Sequence, residues 1–209
     1  MTSKKYGKAP ENLGVFNIHS DEMMAYMYAP VKFPGSDIRL EPRMNFIEPL
    51  LNAAKKDIKP RHYVYVTIKN LFCTKDNPGN RPGWHSDGFL TDDVNYIWTD
   101  KYPTVFCEQD FDIVEDHVVS MDQFRAQVNV SNEKVYPEKS LLRLTDEVIH
   151  RSPDISVSSM RCFVKISISD ERYNLVGNSH NYLFDYWWKL YERNTVRNHP
   201  IYKERDFVV

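Results

Sequence analysis

The sequence predicts a mainly β protein of the α+β class, an antiparallel sandwich or barrel with helices packed outside it. Aromatic residues make up 13% of the chain, and aromatic side chains fit a pleated surface well. Several short segments alternate apolar and polar residues, whereas helical spacing is clearest near the two ends. The 209 residues are 42% hydrophobic and 27% charged, so a sizeable core can form, and the length favours one domain.

The N-terminal part is predicted to be a tail followed by helices. Residues 1–13 are polar and rich in lysine, so we expect a flexible tail there. Segment 14–60 is predicted to be a helical buttress. Within it, Ser20 and the acids that follow are typical of a helix N-cap, and residues 46–54 carry apolar side chains at helical spacing.

The segment 61–170 is predicted to form the β core. Residues 63–70 alternate strictly, so that Val64, Val66 and Ile68 point to one side of a strand. A short helix is expected near Ser120. The other predicted strands are 94–99, 104–107, 140–149 and 160–169.

The C-terminal segment 171–209 is predicted to contain a helix over residues 181–193. Leu183, Trp187 and Leu190 would lie on one face of that helix, which would pack outside the sheet. Its aromatic density leaves a partner-binding role open as the alternative.

Charge and composition favour a cytoplasmic protein without a membrane segment. The net charge of −2 gives no overall field for nucleic acid, so a nucleic-acid partner is not favoured. No run approaches the roughly 18 apolar residues of a membrane-spanning helix, and no signal peptide is recognisable. The three cysteines show no CxxC spacing and are interpreted as reduced thiols. Whether the chain forms a homodimer stays open.

A His-x-Asp pair on an extended segment places an imidazole and a carboxylate on the same face. With a second histidine, such a pair supplies three ligands of an octahedral metal and leaves three positions open. The sequence contains His-Ser-Asp twice, at residues 19–21 and 85–87. The first copy begins a predicted helix, where capping accounts for it. The second lies between a turn-rich loop and several strands, so His85 and Asp87 are the candidate ligands.

His150 is the candidate third ligand because it ends a predicted strand. Several predicted strands separate it from His85, so the chain can fold back and place His150 beside His85 and Asp87. His117 is a rival, but fewer strands separate it from the pair. On the strand that follows His150, Arg161 shares one face with Phe163 and Lys165, opposite an apolar face. An arginine there can bind a carboxylate through a bidentate fork, although such a polar face can also simply be solvated.

The motif at residues 84–88, with His150 and Arg161 after it, resembles the 2-oxoglutarate- and Fe(II)-dependent oxygenase superfamily. The resemblance covers about residues 63–169. It implies a double-stranded β-helix, a jelly-roll of the cupin-like kind, with flanking helices. His85, Asp87 and His150 would then bind Fe(II).

The same resemblance implies that Arg161 binds the C5 carboxylate of the cosubstrate 2-oxoglutarate and that O₂ takes the last metal position. A hydroxyl often completes that carboxylate site in the family, and Tyr96 or Tyr65 could supply it. Phe163 stands where several members have a serine. The implied activity is a dioxygenase, most simply a hydroxylase, that couples 2-oxoglutarate decarboxylation to oxidation of an unknown substrate.

Two other functions fit the same residues. One is a cupin-like metalloenzyme, an isomerase or a dioxygenase, that does not use 2-oxoglutarate and whose Arg161 binds an acidic substrate. The other is a non-enzymatic module that binds carbohydrate or assembles with other proteins through its aromatic surface.

Overall fold

A computed structural model describes residues 5–194 and 199–200 and has a mainly β architecture with two antiparallel sheets. Six strands form the large sheet in the order β1-β7-β4-β9-β3-β2, and three form the small sheet in the order β6-β5-β8. The strands are β1 (Glu11–Val15), β2 (Met24–Lys32), β3 (Tyr63–Cys73), β4 (Val94–Thr99), β5 (Val105–Cys107), β6 (Glu133–Val135), β7 (Ser140–Leu144), β8 (His150–Arg151) and β9 (Ser159–Ser169), with a separate pair β10 (Arg193–Asn194) and β11 (His199–Pro200).

Within the described ranges, two short α-helices flank the sheets. The first, α1 (Glu48–Ala54), follows a 3₁₀ turn over Pro42–Ile47, which confirms the helix predicted at residues 46–54. The second, α2 (Val119–Gln127), lies near the predicted position, and Asp116 rather than Ser120 caps it by accepting from the Val118 and Val119 amides. No helix in the described residues is both long enough and apolar enough to cross a membrane.

The two faces of the large sheet differ in chemistry. Its outer face is apolar and packs against α1, with Leu50 and Leu51 completely or almost completely buried there. Its inner face turns toward the small sheet, and Phe106 of β5 packs there with Ile97 and Phe163. Strand β9 confirms the predicted alternation, because Val164 and Ile166 belong to the outer cluster while Phe163 belongs to the inner one.

The helix predicted from Ser20 is wrong, because residues 24–32 form β2. This strand pairs antiparallel with β3, so its backbone groups are bonded to the sheet. The Ser20 hydroxyl accepts from the Glu22 amide, and the Ser20 carbonyl accepts from the side-chain amide of Asn70 on β3. The cap-like pattern is real, but the pairing of β2 along a central strand outweighs it. The buttress at 14–60 is therefore partly β.

The N-terminal tail prediction is also wrong for residues 5–13. Residues from Glu11 onward pair with β7, and Tyr6 is 2% exposed. The Tyr6 ring packs between Phe89 and Phe124, and its backbone bridges Phe111. The buried Tyr6 ring, together with bonds from the Gly7 and Lys8 amides to the Glu147 carbonyl, holds a segment that is otherwise polar. Residues 1–4 lie outside the described part of the chain.

The predicted C-terminal helix at 181–193 is wrong as well: this segment is irregular until β10. The expected apolar face is not buried, since Leu183 is 42% and Trp187 is 84% exposed. Asn181 anchors the segment instead, because its buried side-chain amide donates to the carbonyls of Pro30 and Arg39. Residues 195–198 and 201–209 of the C-terminal segment 171–209 lie outside the described residues.

Candidate metal centre

The backbone brings His85 and His150 together across an antiparallel bridge. The amide of His85 donates to the His150 carbonyl and the His150 amide donates to the His85 carbonyl, each over 2.9 Å. His85 lies in the loop between β3 and β4, and His150 begins β8. The two imidazole rings lie 4.5 Å apart between their centroids. The strand predicted to run from residue 140 to 149 ends at Leu144, and the turn that follows places His150.

Both imidazoles are oriented through Nδ1. His85 Nδ1 lies 2.8 Å from the Gly83 carbonyl oxygen, and His150 Nδ1 lies 3.3 Å from the Val148 carbonyl oxygen. Because a carbonyl oxygen only accepts, these contacts favour the tautomer protonated at Nδ1. The Nε2 atoms are then left with lone pairs, which is how histidine ligands are commonly held in metal sites.

Asp87 completes a group of three potential ligands. One ligand atom from each of His85, Asp87 and His150 lies within 4.8 Å of the others. Asp87 Oδ2 is 3.5 Å from His150 Nε2. The turn after Asp87 requires glycine, since Gly88 has a φ of +68° and an added Cβ would lie 2.9 Å from the Cβ of Asp93. The three residues predicted as ligands are therefore brought together.

Lys165 of β9 is the charged neighbour of this group, and it reaches Asp87 from the large sheet. Its Nζ lies 2.7 Å from Asp87 Oδ2, and both side chains are largely buried, at 9% and 18% exposure. Lys165 also contacts Tyr28 of β2, with 5.3 Å between Nζ and the centre of the ring. The sequence pattern placed Lys165 on the correct face of its strand but gave no reason to connect it with Asp87.

The electrostatics of the group favour metal binding. Burial depresses the pKa of His85 well below its usual range, with further contributions from the neighbouring His150 and Arg81. Burial alone would raise the pKa of Asp87, but Lys165 and the histidines outweigh it and hold that pKa well below its ordinary value. Burial lowers the pKa of Lys165, whereas Asp87 raises it, and the net shift is upward. A neutral imidazole and a carboxylate are the forms that ligate metals.

Arg161 lies on the same inner face as Lys165, four residues away on β9, which corresponds to about 13 Å along the strand. Its side chain is 2% exposed. Its Nε donates to the carbonyls of Lys101 and Tyr102 over 3.0 and 3.1 Å, while its Nη2 has no hydrogen-bond acceptor among the described residues. Burial lowers the pKa of Arg161 to about 10, so the guanidinium stays charged at neutral pH.

Tyr96 is not brought to the group, and its predicted role in binding the cosubstrate is not supported by this placement. Tyr96 pairs with Ile166, so it points to the outer face of the sheet, and its hydroxyl donates to Asp57 over 2.5 Å. Tyr65 pairs with Ser167 on the inner face, but its hydroxyl donates to the carbonyl of Glu171. Phe163 also lies on the inner face, with 5.3 Å between the centre of its ring and Cζ of Arg161.

The other histidines considered in the sequence lie elsewhere. His19 makes an exposed pair with Asp21 over 2.6 Å, which accounts for the first His-Ser-Asp motif without a metal. His117 packs against Phe89 and does not belong to the ligand group.

A cleft of about 990 Å³ lies between a segment that precedes His85 and one that follows His150. Residues from Lys75 to Gly83 line one side, and residues from Arg151 to Ser156 line the other. None of the three candidate ligands lines this cleft.

Comparison with protein-family models finds no match, and neither curated proteins nor solved structures match the chain significantly. The interpretation of the site thus depends on its own geometry and chemistry.

Proposed function

We propose that this chain is an Fe(II)- and 2-oxoglutarate-dependent oxygenase, most simply a hydroxylase, built on a double-stranded β-helix. The observation that carries the proposal is the grouping of His85, Asp87 and His150, with both Nδ1 atoms directed at backbone carbonyls. Two imidazoles and one carboxylate form the facial ligand set of non-haem Fe(II) oxygenases. The two antiparallel sheets, with the group between them, are compatible with that fold.

The residues present fit the metal. The histidines would each offer Nε2, and Asp87 would offer a carboxylate oxygen, of which Oδ2 lies near both His150 Nε2 and Lys165 Nζ. Ferrous iron, 2-oxoglutarate and O₂ together would supply the oxidation, with carbon dioxide and succinate as products of the cosubstrate. The chain orients the ligands, excludes water and holds the carboxylate of Asp87 ionised.

The residues also fit a dicarboxylate. Arg161 would bind its distal carboxylate, because the guanidinium is buried on the inner face and Nη2 lacks an acceptor in the part of the chain that the structure describes. A buried N–H group without an acceptor is costly, and a carboxylate relieves that cost with a charge-assisted bond.

A cupin-like metalloenzyme that does not use 2-oxoglutarate is the second candidate. The contacts of Arg161 Nε with two backbone carbonyls keep this candidate in play, because they hold the guanidinium in place without any need for 2-oxoglutarate, and an acidic substrate could use the same side chain. In that enzyme the triad would bind metal in the same way, but turnover would not depend on 2-oxoglutarate.

Succinate formation separates the two candidates. Protein reconstituted with Fe(II) in air should convert 2-oxoglutarate to succinate slowly even without substrate. Arg161→Ala should raise the concentration of 2-oxoglutarate needed for this conversion far more than it weakens metal binding. Metal binding without any succinate, in protein that also fails to bind 2-oxoglutarate, would favour the second candidate.

A further inference from the structure

The backbone pairing between His85 and His150 is an isolated bridge, and the two segments separate directly beyond it. In a continued antiparallel ladder, Gly83 would pair with Ser152, because both lie two residues from the bridge. Gly83 instead has a φ of +87°, in the left-handed region, so its segment turns away. Both residues line the cleft, which therefore occupies the gap between the separating segments.

The separation leaves one edge of the segment after β8 unpaired. The amide and the carbonyl of His150 both bond to His85. Backbone groups alternate between the two edges of a strand, so those of Ser152 and Asp154 continue on the side of the cleft. Among the described residues, the amides of Ser152 and Asp154 have no acceptor. Pro153, which has no amide hydrogen, falls on the opposite side. The cleft side of this segment is the open edge.

The chemistry of the cleft favours a peptide on the open edge. An unpaired strand edge binds an extended peptide as an added strand, through main-chain hydrogen bonds. The charged side chains of the lining balance, since Lys75 and Arg151 are matched by Asp76 and Asp154. The lining residues that the structure describes include no aromatic ring. A nucleic acid would therefore find neither a stacking platform for its bases nor an excess of cations for its phosphates.

The size of the cleft fits a short extended segment. One residue of a strand takes up about 160 Å³, given a rise of about 3.4 Å, a strand spacing of about 4.8 Å and a sheet spacing of about 10 Å. A volume of about 990 Å³ thus holds about six residues.

We propose that the substrate is an extended peptide segment of another protein, bound in the cleft as a strand added to the open edge. This inference rests on the proposed function, since it takes the triad as the oxidising centre. Ser152 shares a face with His150, and residues opposite each other in a ladder point to the same face. The peptide side chain opposite Ser152 therefore lies on the side of the triad, about 7 Å along the strand from His150.

That side chain is the one that would be oxidised. One of its C–H bonds would become C–OH, with one oxygen atom of O₂ entering the hydroxyl group. The other oxygen atom would enter succinate as 2-oxoglutarate loses carbon dioxide.

Binding is tested without turnover. Protein is loaded with Zn(II), which has no redox chemistry, and with 2-oxoglutarate. It is then incubated with randomised peptides of about eight residues, slightly longer than the cleft holds, and separately with randomised single-stranded DNA and RNA. We expect peptides to be retained and both nucleic acids to be washed away. Retention of a nucleic acid without any peptide would overturn the inference.

N-methylated forms of a retained peptide show whether the open edge pairs with its main chain. Two forms are made, each methylated at alternate residues and together covering every amide. One form should bind about tenfold to a hundredfold more weakly, because it lacks the N–H groups that donate to the carbonyls of Ser152 and Asp154. The other form should bind within about twofold of the parent peptide. Equal weakening of both forms would refute strand addition.

A matched pair of variants locates the peptide on the open edge. Ser152→Pro removes the amide donor and should weaken peptide binding about tenfold, whereas Ser152→Ala keeps that donor and should bind within about twofold of the native chain. The Zn(II) affinity of both variants should match the native value, which checks that the site near His150 is folded. Equal peptide affinities of the two folded variants would place the peptide elsewhere.

Exchange of Zn(II) for Fe(II) separates the inference from the proposed function. The retained peptide should then gain the mass of one oxygen atom in air. If the peptide binds as predicted but Fe(II) protein with 2-oxoglutarate neither modifies it nor forms succinate, the proposed function fails while the peptide site stands. If 2-oxoglutarate is converted to succinate but no peptide is retained, the peptide site is refuted while the proposed function stands.

Discussion

Lys165 Nζ lies 2.7 Å from Asp87 Oδ2, so a lysine of the large sheet is paired with a candidate metal ligand from the loop opposite. Each charge is the main reason that the other is tolerated in a largely buried position, as the opposing shifts of their pKa values show. A divalent metal at the triad would face the same carboxylate. The pair therefore connects the stability of the site with the binding of metal.

Removal of the lysine should destabilise the metal-free protein. Lys165→Met leaves a buried carboxylate without its cation, at a cost of about 3–5 kcal/mol in the free energy of unfolding. Zn(II) should restore much of the loss, because the metal supplies the missing positive charge. Lys56→Met, which breaks an exposed pair with Glu11, is the control and should cost less than about 1 kcal/mol. Chemical denaturation with and without Zn(II) measures both. Equal costs for the two variants would show that the Lys165 pair has no special role.

The two His-Ser-Asp motifs provide a matched test of metal binding. Asp87→Ala should lower the affinity for Mn(II) at least about a hundredfold, since one of three protein ligands is lost. Asp21→Ala alters the same tripeptide at an exposed site and should leave the affinity unchanged. Calorimetric titration of each variant gives the values. Equal affinities in both variants would place the metal elsewhere.

The stability of the metal-free protein should fall as the pH drops below about 6.5. The pKa of His85 is depressed in the folded state, so between that value and about 6.5 only the unfolded chain takes up the proton. One such group changes the free energy of unfolding by up to about 1.4 kcal/mol per pH unit. Asp87, whose pKa is also depressed, adds a further loss only when the pH falls below about 3.9.

His85→Gln is the variant that checks this pH dependence. Denaturation curves of the native chain and the variant are compared between pH 7 and pH 5. The variant should show a smaller loss over that interval, because glutamine does not take up a proton. Parallel losses in both proteins would assign the pH dependence to other groups.

Tyr96→Phe should affect stability and not binding. The hydroxyl donates to the Asp57 carboxylate on the outer face, and its loss should cost about 2 kcal/mol. The dissociation constants for metal and 2-oxoglutarate should stay within about twofold of the native values, because Tyr96 points away from the triad. Denaturation and titration of the same preparation measure both quantities. A large loss of 2-oxoglutarate affinity would contradict this and show that the Tyr96 hydroxyl contributes to cosubstrate binding.

Local sequence patterns predicted the elements whose stabilising contacts are also local or strictly periodic. Alternation identified β3, β4 and β9, and it placed Arg161 and Lys165 on one face. Long-range contacts decided the rest. The pairing of β2 with β3 replaced a predicted helix, and the buried amide of Asn181 fixed a segment that carries apolar residues at helical spacing.

The site was predictable only in part for the same reason. His85 and Asp87 share a local motif, and the order of the strands allowed His150 to return beside them. The contact between Lys165 and Asp87 joins residues 78 positions apart, and no local pattern predicts such a pair. Tyr96 was predicted to lie near Arg161, but it points to the outer face of the sheet while Arg161 lies on the inner face. The sequence does not give the register between β4 and β9, on which this difference depends.

Anaerobic titration of the protein with Fe(II) and then 2-oxoglutarate tests the central claim most directly. The account predicts that a weak visible charge-transfer band develops, saturates at one equivalent of each, and is absent in Asp87→Ala. Asp21→Ala should give the same band as the native chain. Native protein that binds Fe(II) at the triad but develops no band at any 2-oxoglutarate concentration would contradict the assignment as a 2-oxoglutarate-dependent oxygenase.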